Sequence, residues 1–145
     1  MISIEPLSEK DLPEVCRMEE LVFPGSAWTN DMFRDEIRKP SSCSLLLRQE
    51  GVLIGYLVAD TVKPELSLLK IAVHPDHRRK GFGSMLLSRL ADQSRKEGFT
   101  KIFLEVRVSN SAARRIYQRS GFTVAGIRKS YYPDNEDALV MERTL

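Results

Sequence analysis

The loop over residues 78–84 combines three consecutive cations with two glycines, a pattern suited to binding phosphate groups. An apolar run over residues 71–73 predicts a strand that ends at His74-Pro75-Asp76, and a helical pattern begins at Gly83. Free backbone N–H groups at a helix start attract anions, and glycine lets a ligand approach the backbone closely. The loop therefore predicts a diphosphate site, with a solvated basic turn as the alternative. It lacks the Gly-Lys-Ser/Thr ending of a P-loop and the third glycine of the dinucleotide fingerprint.

A second group of candidate residues lies on the predicted strand Lys101–Arg107 and the helix after it. Alternation along the strand places its aliphatic residues on one face and Glu105 on the other. An acid midway along so apolar a strand lies either at a solvent edge or in a cleft. Asn110 is placed to cap the next helix. Tyr117 lies one turn before the glycine that ends that helix, and it is either a core aromatic or a functional phenol.

The remaining pattern predicts the elements that position these residues. Ser8 and Asp11 resemble a capping box at the first helix, and Thr29 begins the second. The predicted buried residues of these two helices are Leu12, Val15, Met18, Leu21, Val22, Met32, Phe33 and Ile37. Strands are predicted over residues 2–5, 44–48, 52–61, 66–73, 101–107, 122–127 and 138–143, with helices over 83–97 and 111–120. This β-α-α-β-β-β-α-β-α-β-β order predicts an α/β fold with a partly parallel sheet covered by helices.

Length and composition predict one domain over residues 1–145 that is large enough to bury a core. A net charge of +2 gives no indication of a nucleic-acid partner. Cys16 and Cys43 lack the spacing of metal ligands, so buried thiols and no metal site are expected. We expect a cytoplasmic protein with no membrane segment, because the sequence shows neither a signal-peptide pattern nor an apolar run of about 18 residues.

Two segments resemble the GNAT acetyltransferase superfamily. The loop Arg78-Arg79-Lys80-Gly81-Phe82-Gly83 matches its Arg/Gln-x-x-Gly-x-Gly/Ala motif, and residues 71–75 resemble the strand that precedes it. Residues 104–122 contain Leu-Glu-Val-Arg, then Ser-Asn, then a tyrosine and Gly-Phe. This order is similar to that of the ribosomal-protein-alanine N-acetyltransferases within the superfamily.

Two shorter segments extend this resemblance over the chain. Lys129-Ser130-Tyr131-Tyr132-Pro133, followed by Asp137-Ala138, resembles the Tyr-Tyr-Pro loop and next strand of that type. Phe23-Pro24 and residues 28–33 resemble its substrate-side helix entry. In one departure, Gly25-Ser26-Ala27 separates Pro24 from Trp28, where the family has a compact Pro-Trp-Ser/Thr. That loop helps to shape the acceptor site in the family, so the departure bears on the choice of acceptor.

The resemblance implies the GNAT fold, with a mixed, mostly antiparallel sheet, one splayed parallel strand pair and helices on both faces. It implies acetyl-CoA as cosubstrate, no metal, and the N-terminal amine of a protein, such as a ribosomal protein, as acceptor for a monomer or weak dimer. Glu105 would be the general base and Tyr117 the general acid. The implied cofactor-binding residues are Ile71, Ala72, Val73, Arg78, Arg79, Lys80, Gly81, Phe82, Gly83, Ser84 and Asn110, and the implied acceptor-binding residues are Trp28, Tyr131 and Tyr132.

Three alternatives remain open from the sequence. The first is a related transferase that acts on a lysine side chain or a small amine. The second is an acyl-CoA-binding module without turnover, which the presence of Glu105 and Tyr117 disfavours. The third is an RNA- or ribosome-binding protein that uses residues 78–80 and Arg114-Arg115. The balanced charge and the lack of an aromatic stacking platform disfavour the third alternative.

Overall fold

The computed structural model describes all 145 residues. Seven strands and four helices follow the predicted order. The strands are β1 (Ile2–Pro6), β2 (Leu45–Gln49), β3 (Val52–Val62), β4 (Glu65–Val73), β5 (Lys101–Arg107), β6 (Thr123–Arg128) and β7 (Ala138–Thr144). The helices are α1 (Leu12–Val22), α2 (Asn30–Ile37), α3 (Phe82–Lys96) and α4 (Ser111–Arg119), with short 3-10 turns at Glu9–Asp11 and Pro75–His77. None of the helices has the length and apolar content needed to cross a membrane.

The strands form one mixed sheet in the order β1-β2-β3-β4-β5-β7-β6. Only β4 and β5 pair in parallel, and every other neighbouring pair is antiparallel. The helix α3 connects these two strands, because a parallel pair requires a crossover. The predicted α/β fold with a partly parallel sheet is therefore confirmed, as is the mostly antiparallel arrangement.

A bulge separates β4 from β5 at the centre of the sheet. The parallel pairing runs from Glu65↔Lys101 to Leu68↔Leu104 and stops there. At the same level Val58 pairs with Lys70 while Ala59 pairs with Leu68, which leaves Leu69 as an extra residue in β4. A bulge increases local twist and bends its strand. The rest of β4 therefore leaves β5, and a cleft, here called the splay, opens between them.

Two hydrophobic cores cover the two faces of the sheet. One contains α3 and α4 packed on the sheet, with Leu86, Leu90 and Ile102 fully buried. The other contains α1 and α2, with Val15 and Phe33 fully buried. The alternation of side chains along each strand then decides which of them contact the helices on each face.

Several local predictions are confirmed, and others need correction. The Ser8 N–H donates to the Asp11 carboxylate at 3.0 Å in the expected capping box, but a 3-10 turn precedes α1, which begins at Leu12. Phe122 lies just before β6 as a buried core residue. Leu21 and Met32, predicted as buried, are 55% and 46% exposed. In α1 the inward stripe instead continues from Val15 and Met18 to the fully buried Glu19, since residues four apart share a helix face.

Candidate active site

The loop between β4 and α3 presents a row of free backbone N–H groups. Arg79 and Gly81 take left-handed conformations, with φ of 63° and 82°. The first bond of α3 runs from the Met85 N–H to the Gly81 carbonyl at 3.0 Å, and the N–H groups of residues 79–84 donate to no acceptor within the chain. No side chain caps this helix start. Free N–H groups and the helix dipole together favour an anion, so the loop can hold a diphosphate.

The cations of this loop lie on its exposed side. The Arg78 Nε donates to the Val73 carbonyl at 3.3 Å, which ties the loop back to the end of β4. Arg79 and Lys80 are exposed, whereas Phe82 is buried in the core and anchors the start of α3. Arg79 and Lys80 are therefore free to add positive charge at a phosphate.

Packing within the chain does not explain the glycine at position 83. A Cβ added to Gly83 would lie 3.8 Å from the Val73 Cγ2, an ordinary van der Waals distance. Gly81 differs, because its positive φ is one that L side chains rarely adopt. The missing side chain at Gly83 leaves the start of α3 open on its β4 side. A ligand could therefore approach the backbone closely there.

The end of β4 offers a second set of backbone groups to the splay. The His74 N–H donates to the Ile54 carbonyl at 2.8 Å, so His74 points its backbone groups at β3. Backbone groups of successive residues alternate between the two edges of a strand. Ala72 therefore also faces β3, whereas Ile71 and Val73 face the splay, where β4 has no strand partner. Ile71 and Val73 can hydrogen-bond an extended ligand, while the Ala72 backbone is already engaged in the sheet.

Glu105 lies on the β5 side of the splay. Its neighbours Leu104 and Val106 are buried in the α3–α4 core, so the Glu105 side chain points to the α1–α2 face. The carboxylate is 29% exposed, and the Arg128 Nε lies 3.3 Å from its Oε1. A hydrogen bond with Glu105 raises the pKa of the Tyr131 phenol. Since β5 is an inner strand, Glu105 occupies the cleft rather than a sheet edge.

Tyr117 of α4 is a core aromatic whose hydroxyl has no hydrogen-bond partner within the chain. It is 8% exposed and packs against the Phe122 ring at a centroid distance of 5.9 Å. Burial first, and then the nearby Tyr132, raise the pKa of Tyr117 to about 12. The phenol therefore stays protonated at neutral pH and can serve as a proton donor. Burial first, and the charge of the nearby Glu105 among further causes, raise the pKa of Tyr132.

The loop that carries Tyr131 and Tyr132 is fixed by Arg107 at the end of β5. The Arg107 Nη1 donates to both Asp134 carboxylate oxygens at 2.9 and 3.0 Å and to the Glu136 Oε1 at 2.9 Å. The Arg107 guanidinium also lies 4.0 Å from the Tyr132 ring centroid. Sequence patterns could not identify this clamp, because its partners lie 27 and 29 residues from Arg107.

Asn110 and Trp28 occupy supporting positions near these groups. The Asn110 side-chain oxygen accepts the Ala113 N–H at 3.2 Å, which confirms the predicted helix cap. Trp28 is half-buried against the α1–α2 core, and its ring lies 5.3 Å from Phe33. Its backbone N–H donates to the buried Glu19 at 3.0 Å. Glu19 and Arg128 are further residues that the sequence patterns did not single out.

The side chains of this region suit acid–base chemistry at a bound ligand. The Glu105 carboxylate lies at the splay and a row of free backbone N–H groups follows β4, while the protonated Tyr117 phenol lies in the α3–α4 core near Tyr132. No three or more His, Cys, Asp or Glu side chains come together in a group that could hold a metal ion.

Comparisons with known proteins agree with this geometry. The model of the acetyltransferase (GNAT) family matches residues 12–122. The chain is 36% identical to the [ribosomal protein bS18]-alanine N-acetyltransferase of Escherichia coli K12, with 97% of this chain and 96% of that protein covered. The crystal structure of the ribosomal-protein-S18-alanine N-acetyltransferase from Escherichia coli matches with a TM-score of 0.92 at 35% identity, over 99% of this chain and 94% of that one.

A more distant structure shares only the fold. The N-acetyltransferase PaiA of Thermoplasma acidophilum, solved in complex with coenzyme A, matches with a TM-score of 0.81 at 21% identity, over 100% of this chain and 99% of that one. The family match covers most of the chain, and the Escherichia coli relatives cover nearly all of it. The chain therefore belongs to the GNAT acetyltransferase family.

Proposed function

We propose that this acetyltransferase moves the acetyl group of acetyl-CoA to the N-terminal amine of a protein, with the N-terminal alanine of ribosomal protein bS18 as the acceptor. The observation that carries the proposal is the splay, where β4 presents backbone groups without a strand partner and β5 presents the Glu105 carboxylate. The choice of acceptor is supported by the named activity of the relatives at 35–36% identity.

The chemistry of the acceptor fits a carboxylate base. An amine attacks a thioester only in its neutral form, and an α-amino group has a reference pKa near 8 against about 10.4 for lysine. Deprotonating the α-amine at neutral pH therefore costs roughly 3 kcal/mol less than deprotonating lysine. Glu105 can accept this proton directly or through one water.

Other residues of the chain polarise the thioester carbonyl and protonate the leaving thiolate. Acetyl-CoA supplies the thioester carbon at which the new amide bond forms and from which the C–S bond breaks. The Val73 N–H polarises the carbonyl oxygen, and Tyr117 donates a proton to the departing thiolate. No covalent enzyme intermediate is needed, because both reactants are held together in the splay.

Three regions of the chain would hold the donor. The free N–H groups of residues 79–84, with Arg79 and Lys80 nearby, suit the pyrophosphate. The Ile71 backbone suits the pantetheine arm, since it faces the splay as an unpaired strand edge. The side-chain amide nitrogen of Asn110 is not engaged by the helix cap and can also contact the donor.

The acceptor peptide would enter from the α1–α2 face. Tyr131 and Tyr132 lie on one side of Glu105, on a loop that the Arg107 clamp fixes. Trp28 lies on the loop between α1 and α2. These aromatic rings can enclose the first residues of a protein chain while its amine reaches Glu105.

A free-thiol release assay with acetyl-CoA tests this function. The acceptors are a peptide that begins with free alanine, its N-acetylated twin with an internal lysine, and a polyamine. We expect turnover only with the free alanine peptide. Activity confined to lysine or polyamine would instead support the side-chain or small-amine alternative. Coenzyme A binding without turnover would support a binding module, and salt-dependent RNA binding unaffected by coenzyme A would support an RNA-binding protein.

A further inference from the structure

A buried ion pair lies beneath the loop between α1 and α2, apart from the residues assigned above to the chemistry. Glu19 of α1 is fully buried, and the Lys70 side chain of β4 is 10% exposed. The Lys70 Nζ lies 2.7 Å from the Glu19 Oε2. The Tyr56 hydroxyl donates to the Glu19 Oε1 at 2.5 Å, and the Trp28 N–H donates to Oε2 at 3.0 Å. The buried carboxylate thus joins α1, β3, β4 and the loop before α2.

Lys70 also contacts both ends of that loop through their aromatic rings. Its Nζ lies 3.9 Å from the Phe23 ring centroid and 5.2 Å from that of Trp28. A cation at such a distance is attracted to the ring face, more strongly where water is excluded. Between the rings the Ser26 N–H donates to the Phe23 carbonyl at 3.1 Å, and Gly25 has a φ of 83°. The loop is therefore a closed turn with both ends held on one cation.

The strand register places this loop across the splay from Glu105. Lys70 follows the bulge at Leu69, where β4 begins to leave β5. Its side chain points to the α1–α2 face, as does that of Glu105 on the other strand. The two residues thus lie on opposite sides of the same cleft. Phe23 and Trp28 lie on the β4 side, where they contact Lys70.

Stability alone gives little reason to bury this pair. Desolvation of two charges commonly offsets their attraction, and a neutral or apolar pair of the same volume would serve a core equally well. What a charged pair adds is a fixed geometry, because the carboxylate orients the ammonium and the ammonium orients two rings. This geometry is maintained where an acceptor peptide would pass.

We propose that Glu19 and Lys70 are positioning residues that hold the loop 23–28 as a preformed wall of the acceptor site. The inference rests on the proposed function, since it assumes a peptide acceptor beside Glu105. The wall receives the residues that follow the acceptor amine, so its loss weakens acceptor binding and leaves the donor site intact. The three residues Gly25-Ser26-Ala27 enlarge this wall, which makes it a determinant of acceptor choice.

The test compares two matched double variants. Glu19→Gln with Lys70→Met removes both charges at nearly constant volume. Lys101→Met with Glu142→Gln does the same to a pair at 3.4 Å on the same sheet, in which Lys101 lies 5.6 Å from the Phe103 ring. We expect the first variant to raise the acceptor KM about tenfold, which corresponds to the loss of one partly desolvated cation–π interaction. Its kcat and coenzyme A affinity should stay near wild type. The control should keep the wild-type acceptor KM.

Fluorescence of Trp28, the one tryptophan of the chain, gives a readout that does not require turnover. We expect red-shifted emission and easier acrylamide quenching in the first variant and no change in the control. A folded first variant with wild-type emission and wild-type acceptor KM would overturn the inference, and so would equal losses of kcat and coenzyme A affinity. Failure of the wild-type enzyme on every peptide would instead reject the proposed function.

A second variant keeps the inference testable if the double variant does not fold. Phe23→Leu removes one of the two aromatic rings that contact Lys70 and leaves the Glu19–Lys70 ion pair in place. We expect it to raise the acceptor KM and to increase quenching of Trp28. Wild-type values of both quantities in Phe23→Leu would also overturn the inference.

Discussion

We expect Gly83→Ala to separate folding stability from donor binding, because a methyl group fits within the chain at this position but would stand where we propose that the donor binds. The added Cβ would lie 3.8 Å from the Val73 Cγ2, so no neighbour has to move. Alanine is favoured over glycine inside a helix by up to about 1 kcal/mol. For a chain of this size that gain raises Tm by roughly 2–4 °C, so we expect Tm to be unchanged or slightly higher.

Donor binding should change in the opposite direction. The methyl group would stand at the open side of the α3 start, where the N–H groups of residues 82–84 are free. Each hydrogen bond to a charged group contributes about 1.5–3 kcal/mol, so losing one of them weakens coenzyme A at least about tenfold. Gly81→Ala is the contrasting variant, because its φ of 82° costs an L residue about 1–2 kcal/mol and lowers Tm.

Thermal unfolding and isothermal titration with coenzyme A measure the two quantities on the same samples. Stability and coenzyme A affinity are expected to change separately in Gly83→Ala. Wild-type affinity for coenzyme A in that variant would refute the assignment of residues 79–84 to the pyrophosphate. A large drop in Tm would refute the claim that the fold itself does not need this glycine.

Three further outcomes are expected. Glu105→Gln should lower kcat/KM about a hundredfold or more at pH 7 in steady-state assays, and less at pH 9, where the α-amine deprotonates unaided; an equal loss at both pH values would contradict its role as base. Tyr117→Phe should lower kcat by about a hundredfold or more while Tm stays near wild type, since the hydroxyl has no partner in the chain; an unchanged kcat would remove Tyr117 as the acid. Hydrogen bonds from the Glu136 amide and from Arg107 lower the pKa of Asp134, and bonds from Ser109 and Arg107 lower that of Glu136. These lowered pKa values stabilise the clamp above the usual carboxylate range, and this stabilisation is lost in acid. The protection of the amides of residues 129–137, relative to their intrinsic exchange rates, should therefore fall progressively below about pH 4; protection that does not change across the acid titration would contradict the clamp.

The elements were predictable because their apolar periods are regular. The strand Lys101–Arg107 alternates without interruption, and its observed bounds equal the predicted ones. The loop 78–84 could be proposed as an anion site from the sequence because glycine and cations before a helix are a local signal. Helix α3 begins one residue earlier than predicted, at Phe82, because Gly81 provides the left-handed residue at its start.

The features that the sequence could not predict depend on contacts between distant parts of the chain. Glu19 lies on the inward face of α1, but an acid there is expected at the surface until Lys70 is seen to pair with it. Arg107 likewise looks like an exposed strand end until the loop with Asp134 and Glu136 folds back on it. The bulge at Leu69 leaves no mark in the sequence, because it interrupts neither the apolar content nor the length of β4.

The resemblance of residues 71–84 and 104–122 to the family points to residues on both sides of the splay. Their spacing alone could not show that β4 and β5 separate after Leu68 and Leu104. That separation exposes the Ile71 and Val73 backbones, and it places Glu105 in a cleft inside the sheet.

Mass spectrometry of ribosomal protein bS18 treated with this enzyme and acetyl-CoA tests the proposed transfer to an N-terminal alanine. The protein must begin with its free N-terminal alanine, and a sample treated with the Glu105→Gln variant provides the control. We predict a single added acetyl group on the N-terminal peptide, formed much more slowly by the variant. Acetyl groups on lysine side chains only, or no modification while coenzyme A still binds, would contradict the proposed function.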